Sequence, residues 1–232
     1  MAMTSTLTNQ VNRSWVPPLE NGDRLTRDIF EQRYAAMPEI KKAELIEGCV
    51  YMASPVRVTQ HGDPHARIMG WLGFYWAATL GIQVADNATV RLDADNEVQP
   101  DALMRLRKNG RSTVSNTGYI DGAPELVVEI AASSASIDLN QKRYVYRRNG
   151  VQEYLVWQVY DEMLTWFQLQ DSEYKPLEIT RSGVLCSEIF PGLWLDKDAL
   201  LAGDLAKVLT IAQSGINSPQ HRKFVARTNL RT

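Results

Sequence analysis

A glutamate lies in the middle of a short apolar segment, and this feature limits the folds open to the chain more than any other. Residues 126–131 read LVVEIA and are bounded by Pro124 and Ser133. A short apolar run between turn-forming residues is typical of a strand buried on both faces. Because an unpaired charge is costly to bury, Glu129 needs a metal, a partner or a raised pKa. A structural ion pair is the alternative, and this residue alone does not decide between them.

A second acidic residue begins another predicted strand. Asp101 follows Pro100 and precedes the apolar residues ALM. Proline is tolerated at the first residue of a strand, so Asp101 is expected near the rim of the sheet. Two acids on neighbouring strands can converge on one hard cation, and Mg²⁺ prefers oxygen ligands. We therefore predict that Asp101 and Glu129 lie on adjacent strands and face the same cleft.

A predicted helix follows the glutamate strand and carries a lysine. Asp138, Lys142 and Tyr146 are four residues apart, which puts them along one helical face. Lys142 can point back at Glu129, where it would position or deprotonate a water. The alternative is a salt bridge from Lys142 to Asp138 on a solvated face. Glu44 lies in the predicted strand pair at 43–52. It is either a further metal ligand or a hydrogen-bond acceptor that orients a metal ligand. The alternative is that Glu44 is a carboxylate at a strand edge without a role in the site.

The order of the predicted elements indicates the fold class. Helices are predicted at 26–37, 63–80, 138–148 and 198–213, and strands at 43–52, 83–92, 101–107, 126–131 and 153–169. This mixed order favours an α/β domain with a mixed sheet. A length of 232 residues fits one domain with tails. We predict a flexible arm at 1–22, a single domain at 23–213 and a flexible tail at 214–232.

Composition narrows the classes of partner and compartment. The formal net charge is −2, so a nucleic-acid surface would have to be a local patch. Cys49 and Cys186 match no zinc spacing and are predicted to be reduced thiols. The N-terminus lacks the order of a signal peptide, and no apolar run reaches the roughly 20 residues of a membrane helix. A cytoplasmic protein without a membrane segment is expected.

Taken together, these segments resemble the Uma family, a group classed with restriction endonucleases within the PD-(D/E)XK nuclease superfamily and long called a domain of unknown function. The resemblance extends from about Leu25 to Leu195, with His65 at a helix start. Its pieces are AELIEGCVYMASP (43–55), VQPDALM (98–104), APELVVEIAASS (123–134) and DLNQKRYVYRRNGVQEYLV (138–156). Single pieces are common, but their order and spacing are fairly specific.

The resemblance implies a restriction-endonuclease-like core, with a mixed central sheet flanked by helices. It implies that Asp101 and Glu129 are the two motif acids and bind Mg²⁺ or Mn²⁺, with Glu44 as a third ligand. The superfamily's usual lysine stands two residues after the second acid, where this chain has Ala131. Lys142 from the following helix would replace it as the catalytic lysine. The cleft would be lined by His65, Gln99, Asp138 and Tyr146.

Departures from the family pattern leave room for an altered activity. Ala132 and Ser133 stand where a Ser-Pro pair is common, Gln158 where an Asp is common, and Cys49 where a Glu is usual. The function implied by the resemblance is a metal-dependent endonuclease that hydrolyses phosphodiester bonds in DNA as a homodimer. One alternative is a catalytically weak or inactive nuclease-fold module that binds or regulates as a homodimer. Another is that the charges form structural ion pairs only.

Overall fold

Two mixed β-sheets and the helices packed on them form the fold. The computed structural model describes residues 15–52, 57–132 and 134–229, and within these ranges the sheets contain six, six and two strands. The strands are β1 Ala43–Ile46, β2 Cys49–Met52, β3 Ile82–Asp86, β4 Val90–Asp93, β5 Asn96–Val98, β6 Ala102–Leu106, β7 Thr113–Val114, β8 Ile120–Asp121, β9 Leu126–Ala131, β10 Glu153–Gln158, β11 Met163–Gln170, β12 Glu173–Pro176, β13 Val184–Cys186 and β14 Trp194–Asp196. The helices are α1 Arg27–Ala35, α2 Asp63–Ala77, α3 Arg143–Asn149, α4 Lys197–Ala202, α5 Leu205–Ile216 and α6 Pro219–Asn229, and π-helical turns at Val58–Gly62 and Ile137–Lys142 precede α2 and α3.

The two large sheets each combine parallel and antiparallel pairs. One has the order β12-β11-β10-β9-β6-β3, in which only β9 and β10 run parallel. The other has the order β2-β1-β5-β4-β8-β7, in which β4 and β8 run parallel. The predicted α/β class with mixed sheets flanked by helices is therefore confirmed.

Strand β9 is buried on both faces, as its apolar run predicts. Side chains alternate along a strand, so Val128 faces a core cluster that includes Trp71 of α2. Val127 faces the opposite side, in a second cluster with Val145 and Tyr146. Glu129 shares the side of Val127 and therefore points towards α3.

The N-terminal segment is packed where the structure describes it. Leu19 is buried with Phe30 against strands β1 and β2. The backbone N–H of Gly22 donates to the Val50 carbonyl at 2.8 Å. Within the predicted arm at 1–22, Leu19 and Gly22 therefore contact the domain, whereas Trp15 is exposed. Residues 1–14 of that arm lie outside the described residues.

The C-terminal segment is largely helical and contacts the domain over residues 214–229, where the sequence predicted a flexible tail at 214–232. Residues 230–232 lie outside the described residues. The predicted helix at 198–213 divides at Gly203, and its second part continues to Ile216. Helix α6 then buries His221, whose Nε2 lies 2.9 Å from Thr79 Oγ1, and sets Phe224 edge-on to Phe190. The segment has few apolar residues, so its sequence does not predict that it packs. The packing depends on two aromatic side chains, His221 and Phe224.

The backbones of α5 and of the loop before β14 approach each other closely, and both have a glycine there, Gly215 and Gly192. A Cβ built on Gly215 would lie 2.2 Å from the carbonyl oxygen of Gly192. Any larger residue at 215 would therefore push α5 away from the loop before β14.

Cys49 and Cys186 are both free thiols. Among the helices of residues 15–52, 57–132 and 134–229, none is long and apolar enough to cross a membrane.

Candidate active site

Pairing of β6 with β9 brings the two predicted acids face to face. The antiparallel register aligns Ala102 with Val128, and one further step along it sets Asp101 opposite Glu129. Residues directly opposite each other in an antiparallel pair project to the same face. The Asp101 Oδ2 atom also accepts a hydrogen bond from the Ile130 backbone N–H at 2.8 Å. Both carboxylates are buried.

Glu129 is held by two donors from the helix that follows it. Lys142 Nζ donates to Glu129 Oε1 at 2.9 Å, and the Tyr146 hydroxyl donates to the same oxygen at 2.7 Å. In the part of the chain that the structure describes, no donor reaches Oε2. Burial raises the pKa of Glu129 to about 8, because the opposing effect of Lys142 is outweighed by burial together with neighbouring acids. Without a further cation, this carboxyl group therefore tends to keep its proton at neutral pH.

Lys142 lies at the centre of three carboxylates. Its Nζ is 2.9 Å from Glu129 Oε1, 3.0 Å from Glu44 Oε1 and 3.6 Å from Asp138 Oδ1. Burial lowers the pKa of Lys142, but these carboxylates raise it well above its ordinary value. The ammonium is therefore charged, and it reaches the glutamate strand as the sequence predicted. The alternative of a solvated Lys142–Asp138 pair is wrong, because both side chains are buried.

Asp138 and Glu44 each have a second anchor. Ser134 Oγ donates to Asp138 Oδ2 at 2.5 Å, and the Gln99 backbone N–H donates to Glu44 Oε1 at 2.8 Å. Burial, only partly offset by Lys142, raises the pKa of Asp138. Both acids therefore fix the position of the buried lysine.

Asp101 is in a different electrostatic state from Glu129. Its Oδ1 lies 3.2 Å from His61 Nε2 and 3.4 Å from Lys42 Nζ. Burial alone would raise the pKa of Asp101, but the His61 hydrogen bond and the Lys42 charge hold it well below its ordinary value. Asp101 is therefore ionised at neutral pH, opposite a Glu129 that is largely protonated.

The other expected cleft residues divide into two groups. His65, in the first turn of α2, places Nε2 2.9 Å from the Asp101 carbonyl and 3.0 Å from Asp86 Oδ1. Tyr146 touches Glu129 directly. The Gln99 side chain instead donates to Thr89 at 3.2 Å, and so only its backbone serves the carboxylate cluster.

Sequence reasoning missed Lys42 and His61. Lys42 is two residues before Glu44, so a period-two pattern puts both on one side of the incoming strand. His61 is four residues before His65, which is one helical turn away, and the two rings are 5.7 Å apart. These two spacings are the only sequence patterns that involve Lys42 and His61. Neither predicts a contact with Asp101, which lies 40 or more positions further along the chain.

With all of its acids ionised, the cluster would have an excess of negative charge that fits a divalent cation. It contains the carboxylates of Glu44, Asp101, Glu129 and Asp138 but the ammonium groups of only Lys42 and Lys142. Hard oxygen donors of this kind suit Mg²⁺ or Mn²⁺.

Glu44 does not complete the expected set of three metal ligands. Across the three described ranges, no three His, Cys, Asp or Glu side chains are grouped so that they could hold a metal ion by themselves. The reason is that the ammonium of Lys142 contacts both Glu44 and Glu129 at about the distance of a hydrogen bond. An ion at Asp101 and Glu129 would take its remaining ligands from water, as Mg²⁺ commonly does.

Comparisons with known proteins agree with this architecture. The model of the Uma2 family, described as "Putative restriction endonuclease", matches residues 29–198. A crystal structure described as a putative nuclease belonging to DUF820 from Anabaena variabilis superposes with a TM-score of 0.52 and 13% sequence identity. The match covers 80% of this chain and 97% of the other, and at that identity it supports the fold alone. The comparison with curated proteins found no match.

Proposed function

Because the chain belongs to the Uma2 family, described as putative restriction endonucleases, we propose that it is a metal-dependent endonuclease that hydrolyses phosphodiester bonds in DNA. The observation that carries the proposal is the pair Asp101 and Glu129, which lie opposite each other across β6 and β9 in a cluster of four acids and two lysines. We propose Mg²⁺, or Mn²⁺, as the cofactor. Bound there, such an ion would polarise the phosphate and lower the pKa of a water molecule.

The residues around the pair have distinct proposed roles. Asp101 and Glu129 would hold the ion, and Tyr146 would orient Glu129 through its hydrogen bond. Lys142 would act as the internal counter-ion of Glu129, Glu44 and Asp138. Glu44 is thereby assigned to holding Lys142, and His65 to the cleft wall beside Asp101.

Metal binding by the two acids is the first test. Asp101→Asn and Glu129→Gln are nearly isosteric, so each should keep the fold, lose Mn²⁺ binding in calorimetric titration and lose Mg²⁺-dependent cleavage of plasmid DNA. Glu129→Gln should also match or exceed the wild type in thermal stability without metal, because it replaces a carboxyl group whose ionisation burial opposes with a neutral amide. Glu153→Gln, an equally buried acid on β10, is the matched control and should keep Mn²⁺ binding. A wild type that binds no Mn²⁺, with acid variants that unfold, would support structural ion pairs instead.

The second candidate is a catalytically inactive nuclease-fold module that binds or regulates. The contacts of Lys142 favour it, because three carboxylates surround the one lysine that the family resemblance assigns to catalysis. This candidate predicts binding of DNA without cleavage under any divalent ion.

For either function we propose a homodimer, since two copies reach both strands of a duplex. Light scattering that reports a monomer at every concentration would reject the dimer.

A cytoplasmic location accompanies this proposal. Free Cys49 and Cys186 are compatible with a reducing compartment, where thiols persist. An endonuclease acting on DNA would also find its substrate there.

A further inference from the structure

The two lysines of the cluster differ in their access to a substrate. The side chain of Lys142 is 4% exposed, whereas that of Lys42 is 25% exposed. Lys42 precedes strand β1 and stands at the edge of the carboxylate cluster, and Lys142 stands inside it. A phosphodiester that approaches Asp101 from solvent would therefore meet Lys42 first.

Lys142 has no donor to spare for a substrate. An ammonium group has three N–H donors and accepts nothing. Three carboxylate oxygens, from Glu44, Glu129 and Asp138, lie within 3.6 Å of its Nζ. Turning one donor towards a phosphate would leave a buried carboxylate without its counter-charge, which is costly.

Lys42 is held more loosely. Its Nζ lies 3.4 Å from Asp101 Oδ1 and 3.4 Å from Asn87 Oδ1, both long for hydrogen bonds to an ammonium. A divalent cation on Asp101 would replace Lys42 as the positive charge that neutralises this carboxylate. The Lys42 ammonium would then be repelled from the ion and free to turn towards solvent, beside the place where a phosphate would sit.

We propose that Lys42 is the residue that contacts the scissile phosphate of DNA, while Lys142 serves only as an internal counter-ion. The proposal rests on the nuclease function proposed above and names the residue that meets its substrate. His61 also touches Asp101, but its imidazole ring has at most two N–H donors where an ammonium group has three, so it is the weaker candidate.

Three measurements on Lys42→Ala test the assignment. In Ca²⁺, affinity for a short duplex measured by fluorescence anisotropy should fall. The negative slope of log K against log salt should become shallower by about one, because one phosphate contact is lost. In Mn²⁺, the single-turnover cleavage rate should fall by about 100-fold or more. Affinity for Mn²⁺ itself should stay the same or rise, because Asp101 loses a competing cation. Lys42→Arg should restore the salt slope, since it keeps the charge.

Lys41→Ala is the matched control, because it removes an exposed positive charge from the adjacent position. It should behave as the wild type in all three measurements. Equal losses in the Lys41 and Lys42 variants, or loss of Mn²⁺ binding in Lys42→Ala, would overturn the assignment. If the wild type cleaves DNA and Lys42→Ala cleaves equally fast, only this inference fails. If the wild type binds neither Mn²⁺ nor DNA, both this inference and the proposed function fail.

Discussion

At the scale of single residues, the charged groups of the site shift one another's pKa values. Glu129 and Asp101 face each other, yet burial raises the pKa of the first and contacts with His61 and Lys42 lower that of the second. Carboxylates with such different pKa values have different roles in many enzymes. The ionised Asp101 would attract the cation, and Glu129 would release its proton as the cation binds.

Lys142→Met tests the counter-ion role. The substitution keeps most of the length of the side chain but leaves Glu44, Glu129 and Asp138 buried without their shared positive charge. We expect a loss of about 3–5 kcal/mol in the free energy of unfolding, the usual cost of breaking a buried pair. Because Lys142 lowers the pKa of Glu129 and of Asp138, its removal raises both, and the variant should lose more stability at pH 9 than at pH 6.

Urea denaturation in EDTA at both pH values measures this effect. Lys207→Met is the control, because Lys207 pairs with Asp196 at 2.9 Å but is 57% exposed. Exposed pairs contribute about 0–1 kcal/mol. If the Lys142 variant is as stable as the wild type, the cluster does not need its internal lysine.

At the scale of elements, a second buried acid joins a strand to a loop. Glu153 begins β10, and its Oε1 accepts the backbone N–H groups of Glu188 and Ile189 at 2.9 and 3.1 Å. Ser187 Oγ donates to its Oε2 at 2.8 Å. These bonds hold the loop that leads to Phe190, which in turn supports α6.

Glu153 predicts a pH dependence of stability. Burial, only partly offset by the Ser187 hydroxyl and the two backbone N–H groups, raises the pKa of Glu153 to about 7 from 4.5. The folded state therefore holds a proton that the unfolded state has lost between these values. The stabilisation is complete below about pH 4.5 and is lost as pH rises through about 7, by at most about 1.4 kcal/mol per unit.

Glu153→Gln should remove this dependence, because an amide does not titrate here and its oxygen can still accept the two backbone N–H groups of the loop. The measurement is the difference in unfolding free energy between wild type and variant from pH 4 to 8. Glu97 and Glu129, with pKa values raised to about 8, titrate in both proteins and cancel in the difference. A difference that stays flat across this range would rule out Glu153 as the titrating group.

At the scale of the whole molecule, α6 closes one end of the larger core. His221 fills a space beside Tyr75 and Gly192, and Phe224 packs against Phe190. Both contacts lie far from the carboxylate cluster in sequence and are made with α2 and the loop before β14. The C-terminal residues that looked like a tail therefore belong to the domain.

Phe224→Ala tests the docking of α6. Loss of a partly buried ring should cost about 1–3 kcal/mol, less than the range for a fully buried phenylalanine. For a protein of this size the thermal midpoint should fall by several degrees, at about 2–4 °C per kcal/mol. Lys223→Ala changes an exposed neighbour and should stay within about 0.5 kcal/mol of the wild type. Equal melting temperatures for the two variants would mean that the helix does not contribute to folding.

The sequence by itself determined the elements that have strong local signals and the acids that interrupt them. The apolar run around Glu129, the proline before Asp101 and the four-residue spacing of Asp138, Lys142 and Tyr146 are all local patterns. The two strands formed where their patterns predicted, whereas the predicted helix at 138–148 is a π-helical turn at Ile137–Lys142 followed by α3. Only the tertiary structure decided which cations reach Asp101, that Lys142 lies between Glu44 and Glu129, and that α6 is packed. These depend on strand pairing and on contacts between residues far apart in the chain, where burial and shape, and not local periodicity, set the free energy.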